Sequence, residues 1–411
     1  MQSTSRFKKF PIIFSILIVF LWAFTRPSNE STLLVHVTHF TLFIIPIISQ
    51  IFKKSIIKVY GVWFAVFLIL HGYISMELKP KMVTQTKNLR YKINVKDGLP
   101  GIEGVQNVST DEKGFRTTKD IYYLNKEDRV YRIFALGAST TEQIYLDDKD
   151  TWTHKLQEIL GKTSKKEIEV INTGVSGVRL EQNLQTLNSI MEYKPDMVLF
   201  LVGINDWNRQ IHDSMGHPPE PQRERFHKIK KLQDKLSFEK SLIGRAVLSA
   251  SIQSKGGLNN KELIIEGKYD DLRGSLYNKV KKTYKPQTVS KNYKENLNII
   301  VKACHESEVK CVFITQPNGY KDEVDEDYKK GFWMTPPNTD YTLDMESLKH
   351  ISSLYNDFLI DYSKENNIYL CDLEKDIPPS YDYMYDECHF NTKGAEKVAH
   401  SLKSCLSTII K

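Results

Sequence analysis

Cysteine is scarce in this chain, five residues in 411, while glycine (20) and proline (15) are unremarkable in number. A disulfide-dense miniature scaffold, a collagen-like repeat and a low-complexity chain are all excluded. Beyond Lys81 neither sign of charge is in excess, with 48 basic residues against 48 acidic ones. The formal net charge of +7 therefore arises in the first 81 residues, which hold nine basic side chains and two acidic ones. Positive charge set beside apolar runs gives no ground for a nucleic-acid partner. No internal repeat is apparent, and 21 tyrosines with 19 phenylalanines supply material for a core.

Three stretches near the N-terminus lack charge altogether: Phe10 to Thr25, Ser31 to Phe52 and Val59 to Met76. A hydrocarbon core about 30 Å thick needs roughly 20 helical residues, so the second and third are long enough and the first is marginal. The first also resembles a signal peptide in its basic leader Arg6, Lys8 and Lys9, but no small-x-small cleavage site follows it. Residues 1–81 are thus predicted to form a membrane region of three transmembrane helices. Basic residues cluster at the N-terminus and in the loop Lys53 to Lys58, which places both on the cytoplasmic side. Three crossings then put the rest of the chain outside the cytoplasm. His36, His39 and His71 would lie toward the outer leaflet, as interfacial groups within reach of water or as functional ones.

After a connector at 82–130, residues 131–411 alternate strand and helix. Compact apolar runs (RIFAL, IEVINTG, MVLFLVG, KCVFITQP, NIYLCDL) are spaced by helical patterns over Asp150 to Leu160, Leu180 to Tyr193, Tyr293 to Glu306, Met345 to Glu365 and Thr392 to Leu406. Short strands without polar alternation belong to a parallel sheet covered on both faces. The expected fold is α/β, doubly wound, around a mainly parallel five-stranded sheet, in which ligands bind outside the carboxyl ends of the strands. Residues 207–287 break the alternation and are expected to be a charged, partly helical insertion, either a lid over the crevice or a solvated appendage.

Four strand ends or loops carry reactive side chains. Gly137-Ala138-Ser139-Thr140 sets a hydroxyl on a strand-to-helix turn, as a nucleophile or as a simple helix N-cap. It lacks the second glycine of a nucleophile elbow. Asn172-Thr173-Gly174 offers a backbone N–H free of side-chain hindrance, and Gly203-Ile204-Asn205-Asp206 a side-chain amide, both suited to an oxyanion or to plain turns. Asp386-Glu387-Cys388-His389 can set a carboxylate against one imidazole nitrogen and leave the other as a base. A metal at Asp386, Cys388 and His389 would lack a second ligand cluster, so neither metal nor cofactor is expected.

In combination and in this order, the four blocks resemble those of the SGNH hydrolases, the GDSL-like esterases and lipases, over roughly residues 130 to 410. The resemblance implies a flavodoxin-like α/β sandwich with Ser139 as nucleophile, His389 as general base and Asp386 orienting it. It implies an oxyanion hole made of the Ser139 N–H, the Gly174 N–H and the Asn205 side chain. Gly-Ala-Ser-Thr departs from the eponymous Gly-Asp-Ser, and Lys113-Gly114-Phe115-Arg116 resembles cell-envelope members of the family. The implied function is a membrane-anchored esterase that hydrolyses or transfers small acyl groups, such as O-acetyl groups of surface polysaccharides. Its implied partners are an ester substrate, an acylated polysaccharide included, and membrane lipid. An O-acyltransferase with the same triad, or a glycan-binding assembly factor with a vestigial one, are the alternatives. Among the cysteines, Cys304 and Cys311 join a helix end to the next strand and are positioned for a bridge; Cys371, Cys388 and Cys405 are unassigned, and an odd count leaves at least one thiol free.

Overall fold

The computed structural model describes residues 82–85, 87–95, 99–119, 121–215, 262–265, 279–332 and 341–410. The three predicted spans, with His36, His39 and His71, and most of the 207–287 insertion lie outside the described residues. Among the described residues no helix is long and apolar enough to cross a membrane.

The strands are β1 (Arg90–Val95), β2 (Gly104–Ser109), β3 (Val130–Gly137), β4 (Glu167–Asn172), β5 (Met197–Leu201), β6 (Glu262–Ile265), β7 (Val280–Lys282), β8 (Lys310–Ile314), β9 (Tyr341–Leu343) and β10 (Tyr369–Cys371). The helices are α1 (Ser139–Glu142), α2 (Trp152–Gly161), α3 (Leu180–Ile190), α4 (Ile204–Met215), α5 (Lys291–Ser307), α6 (Glu326–Lys329), α7 (Met345–Glu365) and α8 (Thr392–Leu406).

Five of these strands form the central sheet, in the order β10-β8-β5-β3-β4, with every neighbouring pair parallel. These are the five apolar runs expected from the sequence. All five residues of β5, MVLFL, are buried, as required of a strand covered on both faces. Parallel neighbours need crossover connections, and helices supply them: α2 packs against α8 and α3 against α5. Helix starts are marked by side-chain caps, Thr151 for α2, Ser290 for α5, Asp344 for α7 and Asn391 for α8, each oxygen accepting a first-turn N–H.

The connector is more ordered than a linker. Strands β1 and β2 pair antiparallel, and β6, from within the 207–287 segment, joins β1 in parallel. The first residues of that segment are no insertion but the body of α4, which runs on to Met215. Arg132 of β3 fastens the connector to the sheet: its buried guanidinium meets Glu169 at 2.6 Å and donates to the carbonyls of Tyr123 (2.9 Å) and Tyr193 (2.8 Å).

Two disulfides are present, Cys304–Cys311 and Cys371–Cys405. The first is the bridge anticipated between a helix end and a strand start. The second ties the edge strand β10 to α8, a pairing that 34 residues of separation hide from the sequence. Cys388 is the remaining free thiol, and it is buried.

Candidate active site

Strand β3 passes straight into α1, so Ser139 opens a helix at the carboxyl end of a strand. The N-cap, Ala138, has no side-chain oxygen, and the Ser139 N–H has no intrahelical acceptor. Ser139 is therefore not a helix N-cap, one of the two roles its position allowed.

The loop before α8 reaches Ser139 from the other end of the chain. His389 Nε2 lies 2.8 Å from Ser139 Oγ, and His389 Nδ1 lies 2.7 Å from Asp386 Oδ2. Asp386 is held by its own loop, since Oδ1 accepts the backbone N–H groups of Cys388 (2.9 Å) and His389 (2.7 Å). Tyr328 donates its hydroxyl to the Asp386 carbonyl at 2.6 Å, and the Tyr385 ring stacks on the imidazole at a centroid distance of 5.4 Å. Asp386 and His389 are both buried. With Nδ1–H on the carboxylate, Nε2 is left as the acceptor that faces the serine hydroxyl.

The donor atoms of Asp386, Cys388 and His389 lie within 4.8 Å of one another, close enough for a metal. The chemistry of the set does not favour one. Both imidazole nitrogens are engaged, by Asp386 and Ser139, and burial pushes the Cys388 thiol well above its usual range, away from the thiolate a metal binds.

Of the three expected oxyanion donors, one is already engaged within the protein. Gly174 does not offer its N–H to a substrate, because that N–H donates to Asn172 Oδ1 at 2.9 Å and is buried. The glycine is needed for a different reason: a Cβ there would stand 2.4 Å from the backbone nitrogen of Glu142. The loop after β4 thus lies directly on α1. Asn172 completes the seam, donating Nδ2 to the Thr141 carbonyl at 2.6 Å. Three residues further on, Gly177 is exposed and adopts φ +80, and among the described residues its N–H has no acceptor. It is the second glycine of the phrase Asn-Thr-Gly-Val-Ser-Gly, and that repetition was its only signal in the sequence. Asn205 is half-buried at the start of α4; it donates one amide proton to the Val178 carbonyl at 2.9 Å and keeps the other.

Three further residues support these loops. Asp206 is buried and accepts the Leu180 N–H that opens α3 at 3.2 and 3.3 Å. Burial pushes its carboxyl up to about 7, against the opposing pull of that N–H and of Arg179. Glu142, also buried, accepts the Ser176 N–H at 2.5 Å, and burial raises its carboxyl above the usual range. Arg116, from the Lys-Gly-Phe-Arg phrase of the connector, donates to the carbonyls of Glu142 (2.7 Å) and Gln143 (2.6 Å) and pairs with Asp148 at 2.8 Å. A lone glutamate three residues after a serine gives no warning of such a contact, and the connector's arginine is marked in the sequence only by the turn before it.

The model of the GDSL-like lipase/acylhydrolase family matches residues 135–397, which include every side chain just described except Arg116. No curated protein matches the chain. Among solved structures, the chain is similar to a G-D-S-L family lipolytic protein from Desulfitobacterium hafniense at 12% identity, covering 67% of this chain and 99% of that one, with a TM-score of 0.36. It is similar to the psychrotrophic esterase EstA from Pseudoalteromonas sp. at 16% identity, covering 68% and 98%, with a TM-score of 0.36. The lipase/acylhydrolase from Enterococcus faecalis matches at 16% identity, covering 68% and 97%, with a TM-score of 0.37. With the family model spanning most of the chain and the α/β sheet in place, this protein belongs to the GDSL-like lipase/acylhydrolase family and is a hydrolase of ester bonds.

Proposed function

We propose that Ser139, His389 and Asp386 are the catalytic triad of a membrane-anchored serine esterase that acts outside the cytoplasm on small acyl esters, O-acetyl groups of envelope glycans foremost. The observation that carries the triad is the unbroken relay from the Ser139 hydroxyl through the imidazole to the Asp386 carboxylate. His389 Nε2 takes the Ser139 proton as Oγ bonds to the carbonyl carbon, and it returns that proton to the leaving alkoxide as the acyl–oxygen bond breaks. Water then repeats the sequence on the acyl-serine and frees the acid. The oxyanion is held by the Ser139 N–H, the remaining amide proton of Asn205 and, in place of Gly174, the uncommitted N–H of Gly177.

Two features support an extracytoplasmic site. The second and third charge-free N-terminal stretches, flanked by basic residues, are long enough to span a bilayer, and the first is marginal. Two disulfides in one domain suit an oxidising compartment. Gln85, at the start of the described residues, donates to the Gly174 carbonyl at 3.0 Å and fastens that end of the connector to the loop after β4.

The test is turnover of p-nitrophenyl acetate and of an O-acetylated polysaccharide by the full chain in detergent, beside Ser139→Ala. Serine-dependent release of acetate supports the esterase. Serine-dependent phosphonate labelling without release would make the protein a transferase whose acceptor is absent from the assay, and absence of both would overturn the triad. Protease accessibility of the catalytic domain in sealed vesicles tests its side of the membrane.

A further inference from the structure

We infer that Glu142 is a positioning residue for the reaction, whose buried carboxylate locks the loop carrying the oxyanion donor to the helix carrying the nucleophile. This inference rests on the triad reading above and deepens it.

Glu142 closes the four-residue helix that Ser139 opens, and it is 5% exposed. A carboxylate so placed is costly unless its lone pairs are used. One oxygen, Oε2, takes two donors from a single residue, the backbone N–H and the hydroxyl of Ser176. Ser176 immediately precedes Gly177. The orientation of the peptide plane between them, and hence of the Gly177 N–H, is set by what holds Ser176. The turn that carries both residues is closed by the Val178 N–H on the Val175 carbonyl at 3.3 Å, and the Glu142 carboxylate adds a side-chain hold on Ser176, its first central residue; the Gly177 Cβ position is open space and its φ is +80.

The glutamate is itself held. Its N–H donates to the Ala138 carbonyl at 2.8 Å, and its carbonyl accepts the Arg116 guanidinium at 2.7 Å. Burial raises its carboxyl, while the Ser176 donors, Arg116 and His389 favour the charged form. The nucleophile and the loop thus share one short rigid unit. An error of about 1 Å between a nucleophile and its oxyanion donors costs on the order of 100-fold in rate, which is ample reason for such a brace.

The experiment measures kcat and KM for p-nitrophenyl acetate, together with the thermal midpoint, in full-length Glu142→Ala, Glu142→Gln, Ser176→Ala, Ser176→Thr and the Glu142→Ala/Ser176→Ala double variant. Glu142→Ala should lower kcat by roughly 10- to 100-fold with KM changed by less than about threefold, the mark of an interaction made in the transition state. Glu142→Gln, which keeps an acceptor oxygen, should fall in between. Ser176→Thr keeps both donors and should match wild type, whereas Ser176→Ala should lose a smaller factor of about 5. The double variant should be no worse than Glu142→Ala alone, because residues that act through one contact are not additive.

Wild-type kcat in Glu142→Ala overturns the inference, as does a double variant in which the two losses multiply. If Glu142→Ala fails to fold, the serine pair decides, and equal kcat in Ser176→Ala and Ser176→Thr overturns it. Ser139→Ala run alongside separates the two readings. Turnover there would sink the serine mechanism itself, while an inert Ser139→Ala beside a fully active Glu142→Ala removes only the brace.

Discussion

The imidazole of His389 stands 2.8 Å from the hydroxyl of Ser139, although 250 residues separate the two in the chain. Ser139 opens a helix directly after a strand and His389 lies on the loop before the last helix, and only the parallel sheet brings those ends to one edge. Replacing either partner should end the chemistry. Ser139→Ala and His389→Ala should each lower kcat for p-nitrophenyl acetate by at least about 1,000-fold, and Asp386→Asn by a similar or smaller factor. Single-turnover labelling with a serine-directed phosphonate checks the same point, and undiminished labelling of His389→Ala would contradict the assigned base.

One amide proton of Asn205 holds the Val178 carbonyl at 2.9 Å, and the other is the proposed oxyanion donor. Asn205→Ala should lower kcat by on the order of 100-fold with little effect on KM. Asn205→Asp, which can donate no proton when ionised, should be at least as slow. Steady-state kinetics of the two variants at neutral pH measure this directly.

Gly174 lies against the α1 backbone and does not face substrate. Gly174→Ala would force a Cβ to within 2.4 Å of the Glu142 nitrogen, so at least one loop must shift. Overpacking of this kind typically costs about 1–3 kcal/mol. A urea midpoint unchanged from wild type would mean that the seam between the two loops is looser than this contact implies.

Asp206 gives a pH signature with a definite sign. Its carboxyl is raised to about 7 when folded, chiefly by burial, with Arg179 and the Leu180 N–H pulling the other way and Glu181 adding to the rise. Between its unfolded value, near 4, and 7 the native state holds the proton that the unfolded chain has lost, so this group makes stability fall as pH rises through that window. Asp206→Asn should flatten the decline between pH 4.5 and 7.5. Unfolding free energies of the two proteins across that range test it, and parallel curves would show that Asp206 does not titrate there.

The two disulfides should differ in worth because they close loops of different length. By the chain-entropy relation, Cys371–Cys405, separated by 34 residues, contributes about 4 kcal/mol, and Cys304–Cys311, separated by 7, about 2.5 kcal/mol. Cys371→Ser/Cys405→Ser should therefore unfold at the lower denaturant concentration. Alkylation of the native, unreduced protein should spare Cys388 because it is buried, with labelling only after unfolding.

Much of the architecture was legible in residue order alone. Unalternating apolar runs separated by helical periods determined a five-stranded parallel sheet, and α7 and α8 begin and end where the apolar spacing put them. Those are local properties: a strand buried on both faces and a helix with one apolar face each write a period into a few consecutive residues. Side chains at strand ends were legible for the same reason, since the turns that carry Ser139, Asn205 and His389 are short and bounded by glycine, asparagine or aspartate.

Directions of hydrogen bonds were not legible. Gly174 and Gly177 are both glycines in one phrase, and from the sequence the exposed N–H was expected at Gly174. The tertiary structure decided between them, because Asn172 bends back to take the Gly174 N–H while α1 presses on the same peptide. The Glu142–Ser176 contact, the Cys371–Cys405 bridge and the Arg116 anchor likewise join residues 26 to 34 positions apart, with no periodic trace. Composition and spacing determined which groups could react. Packing of one loop on another decided which N–H and which oxygen remain available to do so, because a donor's availability depends on every neighbour it meets in space.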